Sequence, residues 1–372
     1  MFNQNFNIDN LDSCYGVRDG LIPFILSSLV QTNNVLYIAK NDLELSNIYN
    51  FFLENFQNVN VYSIPAWDCL PYDISSPNFN IISERVKSFT KLSFFKGIEN
   101  KNIILTTVNG LLIKTAPRNF YSSNFLNITK HNINSLKYIS NFLSKIGYTR
   151  VETVRESGEF GIRGSILDLF PVGSSKAFRI DFIGDEIDSM KVMDPLTQRS
   201  SDLINNIDVY PSNEYLLDEK NIKNFRQKFR LASGSKSLKS HTYEKVSSGV
   251  KFQGIEHFLP LIHQSPLSSI FDFFYNDPKS VIVLSKNFFS LINKRHEEIE
   301  NFVDERKFEK SDNSVVKVDD LYLSKQELDE KLALYKTIEL NEFDYLDNKT
   351  KKVINLYSKP LLISNDPNLL NN

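Results

Sequence analysis

Residues 158–200 read GEFGIRGSILDLFPVGSSKAFRIDFIGDEIDSMKVMDPLTQRS. Three short apolar-rich segments are separated by Pro171-Val172-Gly173-Ser174-Ser175 and by Gly184-Asp185-Glu186, which predicts strand, turn, strand, turn, strand. In the second strand Phe178, Ile180 and Phe182 share one parity while Arg179, Asp181 and Ile183 share the other, the two-residue period of a half-buried antiparallel sheet. One face is expected to be core and the other wet. In the first strand Ile162, Gly164 and Ile166 take the core parity, which leaves Arg163 outward beside Arg179. Two readings of this pair stay open: solvated charges pairing weakly with Asp181 or Glu159, or a docking face on which arginines and an exposed Ile183 serve as anchors.

Composition bounds the rest. A chain of 372 residues, 41% hydrophobic and 12% aromatic, suffices for two or three modest domains with cores of their own. Its longest apolar runs fall short of a membrane span, and MFNQNFNIDNLDS lacks both a basic start and an apolar signal core, so no membrane partner and a cytoplasmic location are expected. Cys14 and Cys69 have no Cys or His at metal-ligand spacing around them and read as free thiols. The net charge of −2 supplies no overall electrostatic footprint for nucleic acid.

Either side of the opening stretch, the pattern alternates strand and helix. A strand at Val35-Leu36-Tyr37-Ile38-Ala39, a helix from about Asp42 to Phe56 and a strand from Val59 to Ile64 argue for a parallel sheet covered by helices. Ahead of the first helix stands Gly16-Val17-Arg18-Asp19-Gly20-Leu21-Ile22-Pro23, where a nucleotide-binding sheet would carry G-x-x-x-x-G-K-[ST]. The lysine that meets phosphate and the hydroxyl that holds magnesium are both missing, so this is read as a decayed, non-binding phosphate loop. The run PAWDCLPYDISSPN at 65–78 is Pro-rich, with Trp67 expected to pack beneath it. Helices follow on Ile81, Ile82, Arg85, Val86, Phe89 and Leu92, and on Leu136, Ile139, Phe142, Leu143 and Ile146, with a strand from Asn102 to Val108 between them. Residues 221–248, rich in Lys, Arg and Ser, are expected to form a solvated helix or mobile segment, with Lys236, Lys239 and Lys245 as a weaker candidate for a phosphate patch. His257 and His263 lie six apart, a poor spacing for two ligands on one helix. Ser280 to Leu284 reads as a buried parallel strand whose end carries Ser285 and Lys286 in place of acidic metal ligands. A charged surface helix is expected from about Phe289 to Lys310, and Lys359-Pro360-Leu361-Leu362-Ile363 as a possible further strand.

The motifs also carry a resemblance. Gly158-Glu159-Phe160, Arg163-Gly164, Leu167-Asp168-Leu169-Phe170-Pro171, Arg179-Ile180-Asp181-Phe182, Asp185-Glu186-Ile187 and Thr197-Gln198-Arg199 resemble the signature shared by bacterial transcription-repair coupling factors and the UvrB subunit of nucleotide excision repair. Residues 65–78 and Gly254-Ile255-Glu256-His257-Phe258-Leu259-Pro260 extend the likeness. In UvrB the first of these connections holds a long DNA-clamping hairpin, for which residues 65–78 are too few.

The resemblance implies an α/β fold: a degenerate RecA/helicase-like parallel-sheet domain split by an inserted small α+β domain like UvrB domain 2. The expected ranges are 1–120 and 209–345 for the two halves of the large domain, 121–208 for the insert, and 346–372 for a linker or the start of a further domain. It implies a module that recruits UvrA, with the family's contact positions falling on Arg163, Arg179 and Ile183. At Ile183 the family has Phe, so apolar character is kept and aromatic stacking is lost. The phosphate-loop positions Gly16, Gly20, Leu21, Ile22 and Pro23 are expected to hold no nucleotide. No cofactor is expected for this chain. ATP, magnesium, RNA polymerase and double-stranded DNA belong, on this reading, to motor and polymerase-binding domains beyond Asn372, and the family's C-terminal region can mask the docking face. Two alternatives remain: a divergent UvrB or helicase-like ATPase acting on DNA, and a structural adaptor unrelated to repair.

Overall fold

The structure, a computed structural model, describes residues 12–95, 101–130, 135–234, 240–275, 277–308, 315–342 and 353–355. Among these, four strands come first: β1 (Ser13–Tyr15), β2 (Asn34–Ala39), β3 (Asn60–Ile64) and β4 (Asn102–Thr107). Then come β5 (Leu126–Thr129), β6 (Thr149–Arg150), β7 (Glu159–Arg163), β8 (Ile166–Phe170), β9 (Ala177–Ile183), β10 (Glu186–Met193), β11 (Ser200–Leu203) and β12 (Asn206–Val209). β13 (Ser280–Leu284), β14 (Lys336–Leu340) and β15 (Val353–Asn355) complete the set. The first and last groups interleave in one parallel sheet of order β15-β1-β14-β13-β2-β4-β3. The strands from β5 to β12 are therefore an insertion, which leaves after β4 and returns before β13. This is the expected class, a parallel α/β sheet interrupted by a small β-rich unit.

Helices cover both faces of the large sheet, so β2, β4 and β13 are buried along their whole length and read as continuous apolar runs. Side chains alternate between two cores. Val35, Tyr37, Val281 and Val283 meet the helices Ile22–Leu29 and Asp42–Asn55, while Leu36, Ile38, Ile282 and Leu284 meet Phe79–Ser93 and Phe288–Phe308. Asn41 caps the second of these helices, accepting from Glu44 N at 3.0 Å.

Two expectations about surface helices change. Residues 221–248 contribute the helices Glu219–Ser233 and His241–Ser247, whose Phe225, Phe229 and Val246 are buried in the large core. Many charges obscure this face, yet three buried apolar residues suffice to anchor it, a large aromatic stabilising by about 2 kcal/mol. Likewise Phe288–Phe308 buries Ile292, Ile299 and Val303 under its charged exterior. Lys236, Lys239 and the 359–363 run lie outside the described residues.

The insert builds a six-stranded sheet of order β11-β10-β9-β8-β7-β6, antiparallel except for β6 and β7, beside the antiparallel pair β5 and β12. Its core runs from Ile128 to Val209, with Ile139 and Leu143 of the helix Leu136–Lys145 laid on Phe160, Leu167 and Ile180. Tyr121, at the expected start of the insert, packs instead into the large core. Strand parity alone makes residues 158–170 one strand. They fold as two, turned by Gly164 and Ser165, with Gly164 at φ +62° in the first turn position where a tight hairpin needs glycine. Ile166 consequently lies opposite Arg163 and shares its face, not the core face.

Candidate interaction face and the carboxyl end of the large sheet

Cross-strand partners share a face, so the register assigns every side chain of the small sheet. Arg163 is opposite Ile166, which is opposite Asp181; Asp168 is opposite Arg179, which is opposite Lys191, which is opposite Leu203. Arg163, Arg179 and Ile183 therefore stand on one face, turned away from the core on Phe160, Leu167 and Ile180.

That face is not uniformly wet. One half is covered by residues 151–157 and 194–199: Val154, Ala177 and Met193 form a small buried cluster there, and a Cβ at Gly161 would lie 3.0 Å from Val151 O. The arginines rivet this cover. Arg163 donates through Nε and Nη2 to Glu152 O at 3.2 and 2.7 Å, and through Nη2 to Thr153 Oγ1 at 2.9 Å. Arg179 donates through Nε and Nη2 to both oxygens of Asp168 at 2.7 and 2.8 Å, and through Nη1 to Gln198 O at 3.2 Å. The Asp168 carboxylate holds the Arg179 pKa above its ordinary value. Gln198, at φ +60°, completes the clasp by donating to Val154 O at 2.9 Å.

Weak pairing of these arginines with Asp181 or Glu159 is not what forms. Asp181 accepts from Ser189 Oγ at 2.7 Å and from Lys191 Nζ at 3.2 Å, and Glu159 accepts from the backbone of Arg155 and Glu156. The Asp168, Arg179 and Gln198 of the motif act as one hydrogen-bonded unit, which strand parity could not reveal because it depends on a loop that returns over the sheet. The other half of the face is open. Arg163 is exposed at its border, Ile183 is 71% exposed and Leu203 is 72% exposed. Leu203 was not singled out from the sequence, because a four-residue edge strand with a single apolar residue gives no periodic signal.

The insert is tied to the body at Glu214, just past its exit. Glu214 and Arg85 are fully buried and paired at 2.8 Å. Arg85 also donates to Pro65 O at 3.0 Å and lies over the rings of Trp67 and Phe89. Glu214 O accepts from His263 Nε2 at 2.8 Å. Burial pushes the His263 pKa down to about 4, so the ring is neutral near pH 7. Trp67 is buried beneath its loop, with the His257 ring edge-on at 5.6 Å. The loop closes tightly on the Gly254 turn, where a Cβ would lie 2.9 Å from the carbonyl oxygens of Asp73 and Ile74. Buried Cys14 and half-buried Cys69 are free, their thiols pushed up to about 11 and about 12 by burial. Among the described residues no group of three or more His, Cys, Asp or Glu is placed to hold a metal ion. No helix among them is long and apolar enough to cross a membrane.

At the carboxyl end of the large sheet, the loop carrying Gly16, Gly20, Leu21, Ile22 and Pro23 ends in a short turn at Asp19–Leu21 before the helix Ile22–Leu29. This loop carries Arg18 and Asp19 and has no lysine. Asp19 pairs with Lys40 at 2.8 Å and with Lys286 at 3.0 Å. A nucleotide-hydrolysing sheet places lysine on the loop and acid on the strand end; here the loop bears the acid and the strand end the lysine.

These features define a parallel α/β domain that carries a small antiparallel insert with a half-open outward face. The model of the UvrB interaction domain matches residues 126–215. The chain is 34% identical over 244 residues to the transcription-repair-coupling factor of Haemophilus influenzae, covering 65% of this chain and 21% of that protein. It is 33% identical over 222 residues to that of Escherichia coli K12, covering 60% and 19%, and 26% identical over 270 residues to that of Staphylococcus aureus MRSA252, covering 69% and 23%. The chain spans about a fifth of the length of these curated relatives. It is related to the N-terminal, UvrB-like region of the transcription-repair-coupling factors.

Proposed function

We propose that this chain is the recruiting module of transcription-coupled DNA repair: it docks UvrA on the open half of the small sheet's outward face and performs no ATP chemistry itself. The whole protein, on this reading, recognises RNA polymerase stalled at a DNA lesion and releases it with an ATP-driven motor acting on double-stranded DNA. The single observation that carries the docking role is the exposure of Ile183 on β9, Leu203 on β11 and Arg163 on β7 along one face of the small sheet, in a domain that matches the UvrB interaction model. Arginine is enriched among the residues that dominate binding energy at protein interfaces, and exposed Ile183 and Leu203 add apolar area for a partner to bury.

The clasped state of Arg179 supports a division of roles. Its carboxylate partner is internal, so Arg179 shapes the face, while Ile183, Leu203 and the outer edge of Arg163 are available to a partner. The inverted charges at Asp19 and Lys286 support the absence of hydrolysis. Calorimetric titration of UvrA tests the docking role. Ile183→Ser with Leu203→Ser should weaken binding at least thirtyfold, about 2 kcal/mol, with unchanged folding; an unaltered dissociation constant removes this face from the interface. Measurable ATP turnover by the purified chain would favour the divergent-ATPase reading instead.

A further inference from the structure

β2 and β13 are neighbours in the parallel sheet, and Lys40 and Lys286 leave the same ends of these two strands. Parallel α/β sheets bind their ligands in the crevice outside the carboxyl ends of the strands. Two ammonium groups converge there on a single carboxylate: Asp19 Oδ2 lies 2.8 Å from Lys40 Nζ and Asp19 Oδ1 lies 3.0 Å from Lys286 Nζ. Lys286 is held in place, its side chain only 11% exposed, with Glu342 a further 3.6 Å contact. Asp19, by contrast, is 60% exposed and sits in a loop that enters the sheet from β1. Asp19 is thus the most exposed member of the cluster, with Lys40 at 32% and Lys286 the less exposed cation. Glu44, a further nearby carboxylate besides Glu342, is already engaged by the backbone N of Lys40 at 2.7 Å.

We propose that Asp19 is a resident anion: its carboxylate fills a two-lysine site of the phosphate class, and the chain itself supplies the ligand that a nucleotide would otherwise provide. This rests on the reading of the loop as non-hydrolytic and deepens it, because an occupied anion site explains why phosphate is kept out as well as why it is not cleaved. Lysine binds phosphate as a point charge and needs no planar geometry, so a carboxylate oxygen at each ammonium is an adequate substitute. The Lys40 pKa is raised chiefly by its hydrogen bond to Asp19, and the Asp19 carboxyl is held below its ordinary value by Lys40 and Lys286, as mutual occupancy requires.

Inorganic pyrophosphate is the probe, titrated calorimetrically into the full chain. The wild type should show no binding at concentrations that saturate Asp19→Ala, which should bind at least tenfold more tightly, with an affinity that falls as salt rises. Adding Lys286→Ala to Asp19→Ala should abolish the gain. Asp19→Asn, which keeps the shape and removes the charge, serves if the alanine variant loses its far-ultraviolet circular dichroism. Equal binding by wild type and variant, or no binding by a folded variant, overturns the proposal. ATP hydrolysis by the wild type would instead overturn the non-hydrolytic reading, and the pyrophosphate difference would remain interpretable without it.

Discussion

The large sheet and the small sheet differ in how completely their faces are covered. In the body, helices cover both faces, and conspicuous charges at the sheet's margins are matched internally: Arg85 with Glu214, and Asp19 with Lys40 and Lys286. In the insert, one face packs on the core and the other is only half covered, so Ile183 and Leu203 remain in water. Both units match charges internally, Arg179 with Asp168 in the insert as Arg85 with Glu214 in the body, and the insert differs in leaving large apolar side chains on an uncovered sheet face.

The comparison breaks most severely at Arg85. Arg85→Ala leaves the Glu214 carboxylate buried without its cation and should lower stability by about 3–5 kcal/mol, read as a shift in the urea midpoint. Arg85→Met with Glu214→Leu should recover much of that loss; if the double variant is no better than the single, the pair is not the tie described here.

His263 follows. Its folded pKa of about 4 lies below the ordinary histidine value, so the unfolded chain binds more protons between these limits. Stability contributed by the neutral ring is fully present above about pH 6.5 and is lost as pH falls toward 4, by up to about 3 kcal/mol. Urea titrations from pH 7 to 4 on wild type and His263→Gln should show a flatter dependence in the variant, and identical slopes would refute the assignment.

Next is Arg179. Asp168 is 5% exposed, so Arg179→Ala strands a nearly buried carboxylate and should cost about 2 kcal/mol, confined to the insert. Asp168→Asn with Arg179→Ala should be milder. Any loss of UvrA binding in Arg179→Ala should accompany increased hydrogen exchange at residues 151–157 and 194–199, whereas loss without that loosening would make Arg179 a direct contact. Ile183→Ser should change stability least, within about 0.5 kcal/mol, while still impairing docking.

How much was legible in the sequence varies with the range of the interaction. The alternation of Phe178, Ile180 and Phe182 predicted a two-faced strand, and the continuous run Ser280 to Leu284 a doubly covered one; both are as observed. The two-strand split at Gly164 was missed because Ile162, Gly164 and Ile166 keep the same parity whether or not the chain turns between them. β1, β5, β11 and β15 are three or four residues long, too short for any period to register. Leu203, on one of them, was missed for that reason.

By itself the sequence determined the parallel-sheet class, the two-faced antiparallel character of residues 177–193 and the absence of lysine and hydroxyl side chains from residues 16–23. These follow from local periodicity and from which side chains are present. Only the tertiary structure decided that Asp168 and Gln198 clasp Arg179, that half the outward face is roofed by a returning loop, and that Asp19 meets a lysine 267 residues away. Those outcomes depend on which distant segments share a volume and exclude water from it, and no pattern of neighbours along the chain encodes that directly.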